Sequence, residues 1–157
     1  MGKIDTYRPC VVGVFIDETG KLLLGKRFGN EHWAISWQLP QGGIEEGEKA
    51  EEALFREMRE EVGQDQFDII SKADRLVHYD FPADLRAPIA LKYKGQSQHW
   101  FLCRFHQGSS PDLAKAIDKE FSELKWESLV FCLDQIIPFK RQAYIEGLSL
   151  LGFSLPK

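Results

Sequence analysis

The chain is short of thiols, of basic charge and of long apolar runs, and each shortage removes a class of function. Only three cysteines occur in 157 residues (Cys10, Cys103 and Cys132), in apolar contexts and without C-x-x-C spacing. That argues against a disulfide framework or a cysteine metal cluster, and the three read as buried small hydrophobes in a reducing cytoplasm. Basic residues (20) are outnumbered by acidic ones (24), giving a formal net charge of −4. Proteins that coat long nucleic acid need a basic surface, so extended nucleic-acid binding is not expected, whereas recognition of one nucleotide or one 5′ end stays open. No apolar run approaches a membrane span, and residues 1–5 hold no secretory apolar core, so no membrane association is expected. The four histidines are scattered without ligand spacing, and only His32, in a loop, is a candidate for substrate contact. No G-x-S-x-G elbow, Walker A loop or Cys/His pairing is present, which leaves acyl transfer and P-loop hydrolysis without support.

What is present suffices for a real core: 43% of residues are hydrophobic and 12% aromatic. The pattern predicts one α/β domain over 1–157, a mixed β-sheet sandwiched between α-helices. Strands are expected at 8–16, 21–27, 37–40, 68–79, 98–106 and 125–131, with a turn at 17–20 and a loop at 28–36. Helices are expected at 49–62, briefly at 112–119, and at 139–151 with Tyr144, Leu148 and Leu151 inward. Residues 80–95, with Pro82 and Pro88, form a long loop, and long loops in compact domains are often functional.

The stretch 42–64, GGIEEGEKAEEALFREMREEVGQ, organises the rest. It opens with the turn material Pro40-Gln41-Gly42-Gly43 and closes on Gly63, a good residue to end a helix. With Glu57 at 0° and 100° per residue, Glu61 falls at about 40° and Glu60 at about −60°, beside an apolar side of Leu54, Met58 and Val62. Three carboxylates within one turn repel one another. A divalent cation would relieve that repulsion, and hard oxygen ligands suit magnesium or manganese.

Gly42, Glu48, Arg56, Glu57, Met58, Glu60, Glu61 and Gly63 also fit the Nudix box, so the chain resembles the Nudix hydrolases and the Nudix fold is expected. The one departure is Gln64, where the pattern has an apolar residue; it bears on local packing more than on chemistry. Tyr7-Arg8-Pro9, Trp37 through Ile44, Tyr79 through Pro82, and Tyr93-Lys94-Gly95-Gln96 with Gln98 and Trp100-Phe101-Leu102 resemble the branch holding bacterial RNA pyrophosphohydrolases and diadenosine polyphosphate hydrolases. Glu120-Phe121 with Trp126, and Phe139-Lys140-Arg141, resemble the RNA enzymes in particular.

The resemblance implies a Mg²⁺-dependent RNA 5′ pyrophosphohydrolase, with Mn²⁺ able to substitute, that leaves a 5′-monophosphate and starts messenger-RNA decay. A dinucleoside polyphosphate hydrolase is the alternative, and a non-catalytic Nudix-fold binding module or a structural subunit are remoter ones. It further implies that Glu57, Glu60, Glu61, Glu120 and the Gly42 carbonyl hold the metal, with Glu123 a substitute for Glu120. Either Glu61 or Glu120 would take the proton from water. Glu48 and Arg56 are expected to pair and brace the box loop. Arg8, Lys26, Arg27 and Lys140 are expected near the phosphates, with Phe139 and Tyr79 as stacking surfaces and Gln96 and Gln98 as hydrogen-bonding groups.

Overall fold

The computed structural model describes residues 5–27 and 37–155. The expected loop at 28–36, with His32, lies outside the described residues.

Strand β1 (Tyr7–Phe15) is the hub of a five-stranded mixed sheet. It pairs antiparallel with β4 (Gln41–Gly43) on one side and parallel with β7 (Gly95–Phe105) on the other. β7 carries both β5 (Phe67–Lys72) and β6 (Val77–Asp80) antiparallel along its far edge. A second, three-stranded sheet has β2 (Leu22–Arg27) between β3 (Trp37–Gln38) and β8 (Phe121–Glu127).

Alternation along β1 builds two cores, because successive side chains leave opposite faces. Val11 and Phe15 pack with Ala53, Leu54, Met58 and Val62 of helix α1 (Ala50–Val62). Val12 and Val14 pack instead with Trp100, Cys132, Leu133, Tyr144 and Leu148. That second face is covered by α2 (Leu129–Gln135) and α3 (Pro138–Leu150), so the mixed sheet lies between helices. Gly147 lets α3 rest on Trp100, since a Cβ there would enter the indole ring. All three cysteines are buried and free. Among the described residues no helix is long and apolar enough to cross a membrane.

Four details depart from the sequence expectation. The strand expected at 68–79 is two, because the chain jogs at 73–76, where Ala73 N–H bonds the Trp100 carbonyl, so that both halves pair with β7. The last strand stops at Glu127, since the Ser128 hydroxyl accepts from Phe131 N–H and starts α2 where a strand was expected. Residues 112–119 form only one 3₁₀ turn, Leu113–Lys115. Gln41-Gly42-Gly43, expected as turn material, is the edge strand β4.

Candidate active site

Helix α1 presents its acidic side to β4. Gly42 is there for space: a Cβ would overlap the Glu57 carboxylate, which therefore lies against bare backbone. One turn on, Glu61 Oε2 accepts from Gln41 N–H at 3.3 Å. Both acids are buried, Glu57 at 8% and Glu61 at 3% exposure. Arg56 braces this arrangement. Its guanidinium grips both oxygens of Glu48 (2.8 and 2.9 Å), donates to the Gly43 carbonyl (2.8 Å), and reaches Glu57 (2.9 Å) and Glu60 (3.2 Å). Glu48 also accepts from Glu45 N–H, so one ion pair ties the loop before α1 to the helix.

The connection from β7 to β8 delivers the fourth acid. Asp112 N–H bonds the Val62 carbonyl (2.8 Å) and Asp118 N–H bonds the Glu60 carbonyl (2.9 Å), capping the end of α1. Gln64 takes part: its side-chain amide donates to the Ser110 carbonyl at 3.1 Å, giving a polar residue a use at the position where the box pattern is apolar. Docked this way, the connection brings Glu120 to the same cavity as Glu61, close enough for its negative charge to act on the Glu61 carboxyl.

Crowding shows in the acidities. Burial pushes Glu57 up to about 7, opposed by Arg56 and helped by Glu60 and Glu120. Burial, then the charges of Glu120 and Glu57, hold Glu61 well above the usual carboxylate range. Glu48 goes the other way, held low by its hydrogen bond to Arg56.

These acids form one wall of a cavity of about 500 Å³. Facing them are Arg8, Arg27 and Lys140, with Tyr79, Gln96 and Phe139. Lys140 is buried, and its ammonium forms no hydrogen bond or ion pair among the described residues. Burial, with the nearby Arg27 charge, lowers its pKa to about 8. Tyr79 and Phe139 meet at 6.0 Å between ring centroids. The long loop after β6 closes the far side with Phe81, Leu85, Ala87, Pro88 and Ile89.

Three candidates lie elsewhere. Gln98 is 1% exposed and spends its amide on other side chains under the cavity. Lys26 does not line the cavity; its neighbour Arg27 does, as alternation along a strand requires. Glu123 is exposed on β8 opposite Lys26. Sequence reasoning missed the Gln41 side chain and Asp118, and it marked the 80–95 loop as functional without naming the apolar residues that it brings to the cavity. Gln41 sits beside the box glycines, but nothing local shows that its amide enters the cavity.

Among the described residues no three carboxylate, imidazole or thiol groups stand together as a ready ligand set. Arg56 holds one oxygen of Glu57 and one of Glu60. The donors nonetheless fit a hard divalent cation: they are carboxylate oxygens, and burial beside like charges raises both Glu57 and Glu61, a cost that a cation would relieve.

The NUDIX domain family model matches residues 6–144. An RNA pyrophosphohydrolase of Wolbachia sp. subsp. Brugia malayi is 38% identical over 143 residues, 89% of this chain and 86% of that protein. One from Cereibacter sphaeroides is 40% identical over 144 residues, 89% and 87% of the two chains. The fold is similar to that of the MutT protein from Methanosarcina mazei (TM-score 0.70, 20% identity, 97% of this chain and 100% of that one). It is also similar to a C. elegans Ap4A hydrolase (TM-score 0.61, 18% identity, 92% and 99%).

Proposed function

The chain belongs to the NUDIX domain family and is a pyrophosphohydrolase, and we propose that its substrate is the 5′-triphosphate end of RNA. The products are a 5′-monophosphate RNA and pyrophosphate, and the reaction opens messenger-RNA decay. The observation that carries this reading is the convergence in one cavity of the α1 acids and Glu120 with Arg8, Arg27, Lys140 and the Tyr79–Phe139 pair. Several relatives of nearly the same length are named for this activity.

Breaking the α–β anhydride consumes one water. Its oxygen joins one phosphorus, the bridging oxygen keeps the electron pair of the broken bond, and a proton passes to one carboxylate of the Glu61–Glu120 pair. Arg8, Arg27 and Lys140 orient the polyphosphate and offset its charge. Phe139 and Tyr79, whose rings meet in the cavity lining, are the residues assigned to stack with a base, a contact indifferent to base identity. The family uses divalent metals. For this chain the reading is Mg²⁺, with Mn²⁺ as substitute, held by Glu57, Glu60, Glu61, Glu120 and the Gly42 carbonyl. Such a cation supplies positive charge to the phosphoryl oxygens and acidifies water.

A second reading, hydrolysis of dinucleoside polyphosphates, is favoured by the apolar residues between Phe81 and Ile89 in the cavity lining, a surface suited to a second base. Initial rates on 5′-triphosphate RNA and on diadenosine tetraphosphate, for wild type and Glu61→Gln, decide between them. The expected result is faster turnover of RNA, lowered at least ~100-fold in the variant, the scale of losing one preorganised charged group. Faster turnover of the dinucleotide would overturn the RNA reading, and an unaffected variant would overturn the assignment of Glu61.

A further inference from the structure

Beneath the cavity runs a chain of buried amides whose direction is fixed at one end. Gln96, Gln98 and Trp100 occupy alternate positions of β7 and so share a face. The Trp100 indole N–H can only donate, and it donates to Gln98 Oε1 at 3.1 Å. The Gln98 amide nitrogen must then face the other way, where it meets Gln41 Oε1 at 3.2 Å and Gln96 Oε1 at 3.5 Å. Gln96 Oε1 also accepts from the Tyr79 hydroxyl at 2.7 Å. Both carbonyl oxygens are thus committed inward. Neither the Gln41 nor the Gln96 amide nitrogen has a hydrogen-bond partner among the described residues, and both residues line the cavity.

We propose that Gln98 is a positioning residue for the polyphosphate: anchored by Trp100, it turns Gln41 and Gln96 so that both present amide N–H groups to the substrate's anionic oxygens. This rests on reading the cavity as a polyphosphate site. Reversing either amide would aim a carbonyl dipole at a phosphate and replace attraction by repulsion. Gln98 itself, 1% exposed and absent from the cavity lining, touches no substrate. The backbone of Gln41 holds Glu61 while its side chain donates to phosphate, so the same residue joins the acidic and anion-binding halves of the site.

Two measurements test this. Kinetics on triphosphate RNA compare wild type with Gln98→Met, which keeps the side chain's length and removes the polarity signal, and with Trp100→Phe, which removes the donor. The expected result is a KM raised roughly tenfold for Gln98→Met, as for one lost hydrogen bond to a charged group, with kcat within about twofold. Trp100→Phe moves KM in the same direction by less. In ¹H–¹⁵N spectra of the wild type with Mg²⁺, inorganic tripolyphosphate shifts the side-chain amide signals of Gln41 and Gln96 more than that of Gln98. An unchanged KM in folded Gln98→Met overturns the proposal, as does a fall confined to kcat. If the variants fail to fold, the wild-type titration decides, and unmoved Gln41 and Gln96 signals overturn it. If RNA is not turned over, the substrate reading fails, while the tripolyphosphate titration still judges the amides.

Discussion

The buried acids predict an inverted dependence of stability on pH in protein stripped of divalent metal. Glu57 holds its proton up to about 7 in the fold, against 4.5 ordinarily. Between those values the unfolded chain releases a proton that the folded chain retains, so raising the pH favours unfolding. Ionising Glu57 in place costs roughly 3 kcal/mol over that span, and Glu61 acts in the same direction. For a domain of this size, roughly 3 kcal/mol lowers Tm by about 6–12 °C. The penalty is absent below about pH 4.5, grows through the window and is complete above about pH 7. His99 works oppositely, since burial lowers its pKa and folding then gains as pH rises through the unfolded imidazole value. The diagnostic is therefore the difference between wild type and Glu57→Gln, followed by calorimetry or circular dichroism from pH 5 to 8 in chelator. Wild type should lose Tm relative to the variant as pH rises. Millimolar Mg²⁺ should restore it, because an ion at about 100 times its Kd stabilises by roughly 2.7 kcal/mol. A wild-type Tm that rises relative to the variant, or Mg²⁺ stabilising Glu57→Gln as much as wild type, would refute the reasoning.

Arg56→Met keeps the apolar stem but frees Glu48, Glu57 and Glu60 at once, and with the guanidinium one-fifth exposed we expect a loss of about 3 kcal/mol, seen as ~6–12 °C in Tm at pH 7. Because Arg56 holds Glu48 below its ordinary value, that part of the difference is present above about pH 4.5 and is lost as pH falls through the folded value; a gap that grows on acidification would contradict the pairing. Gly43→Ala places a methyl where the Arg8 guanidinium lies, so kcat/KM on triphosphate RNA should fall about tenfold through KM, with Tm changed by only a few degrees. An unaffected KM would remove Arg8 from substrate binding.

How much was legible depended on whether the determinant was local. Helix α1 could be read within a residue of its true start because its apolar period, its closing Gly63 and its acids all lie inside the helix. The wheel angle placed Glu57 and Glu61 beside the apolar side, yet their burial comes from β4, and no helical pattern contains β4. The division of 68–79 into β5 and β6 follows from where β7 offers partners, which is a register 15–38 residues away. Composition made Leu129–Phe131 look like strand, while a single hydroxyl, Ser128, made it helix. Gln98 read as a group that hydrogen-bonds substrate, because a Gln is seldom fully buried. Buried, it accepts from the donor-only Trp100 two positions on, a pairing visible only once the strand face is known.

The formal net charge of −4 was the sequence feature least suited to judging a phosphate substrate, and the site shows why. A total over the chain averages two walls that the fold separates across one cavity. On one, Glu57 and Glu61 are forced toward their protonated forms; on the other, Lys140 is forced down to about 8. Each wall alone is an electrostatic cost, and direct collapse of one onto the other is resisted where Arg56 engages Glu57 and Glu60 and α3 holds Lys140 in place. A divalent cation with a polyphosphate satisfies both walls together, each ligand relieving the cost the other leaves. Binding of the two is therefore expected to be mutually reinforcing, with coupling on the order of 1–3 kcal/mol, and linkage requires the same factor in both directions. Titrations of inorganic tripolyphosphate with and without Mg²⁺, and of Mg²⁺ with and without tripolyphosphate, should close such a cycle once Mg²⁺–tripolyphosphate association in free solution is included. Lys140→Met should then weaken Mg²⁺ binding in the presence of tripolyphosphate and, by removing a cation that acts on Glu61 and Glu120, slightly strengthen it in its absence. Equal effects in both conditions would mean that the two walls act independently.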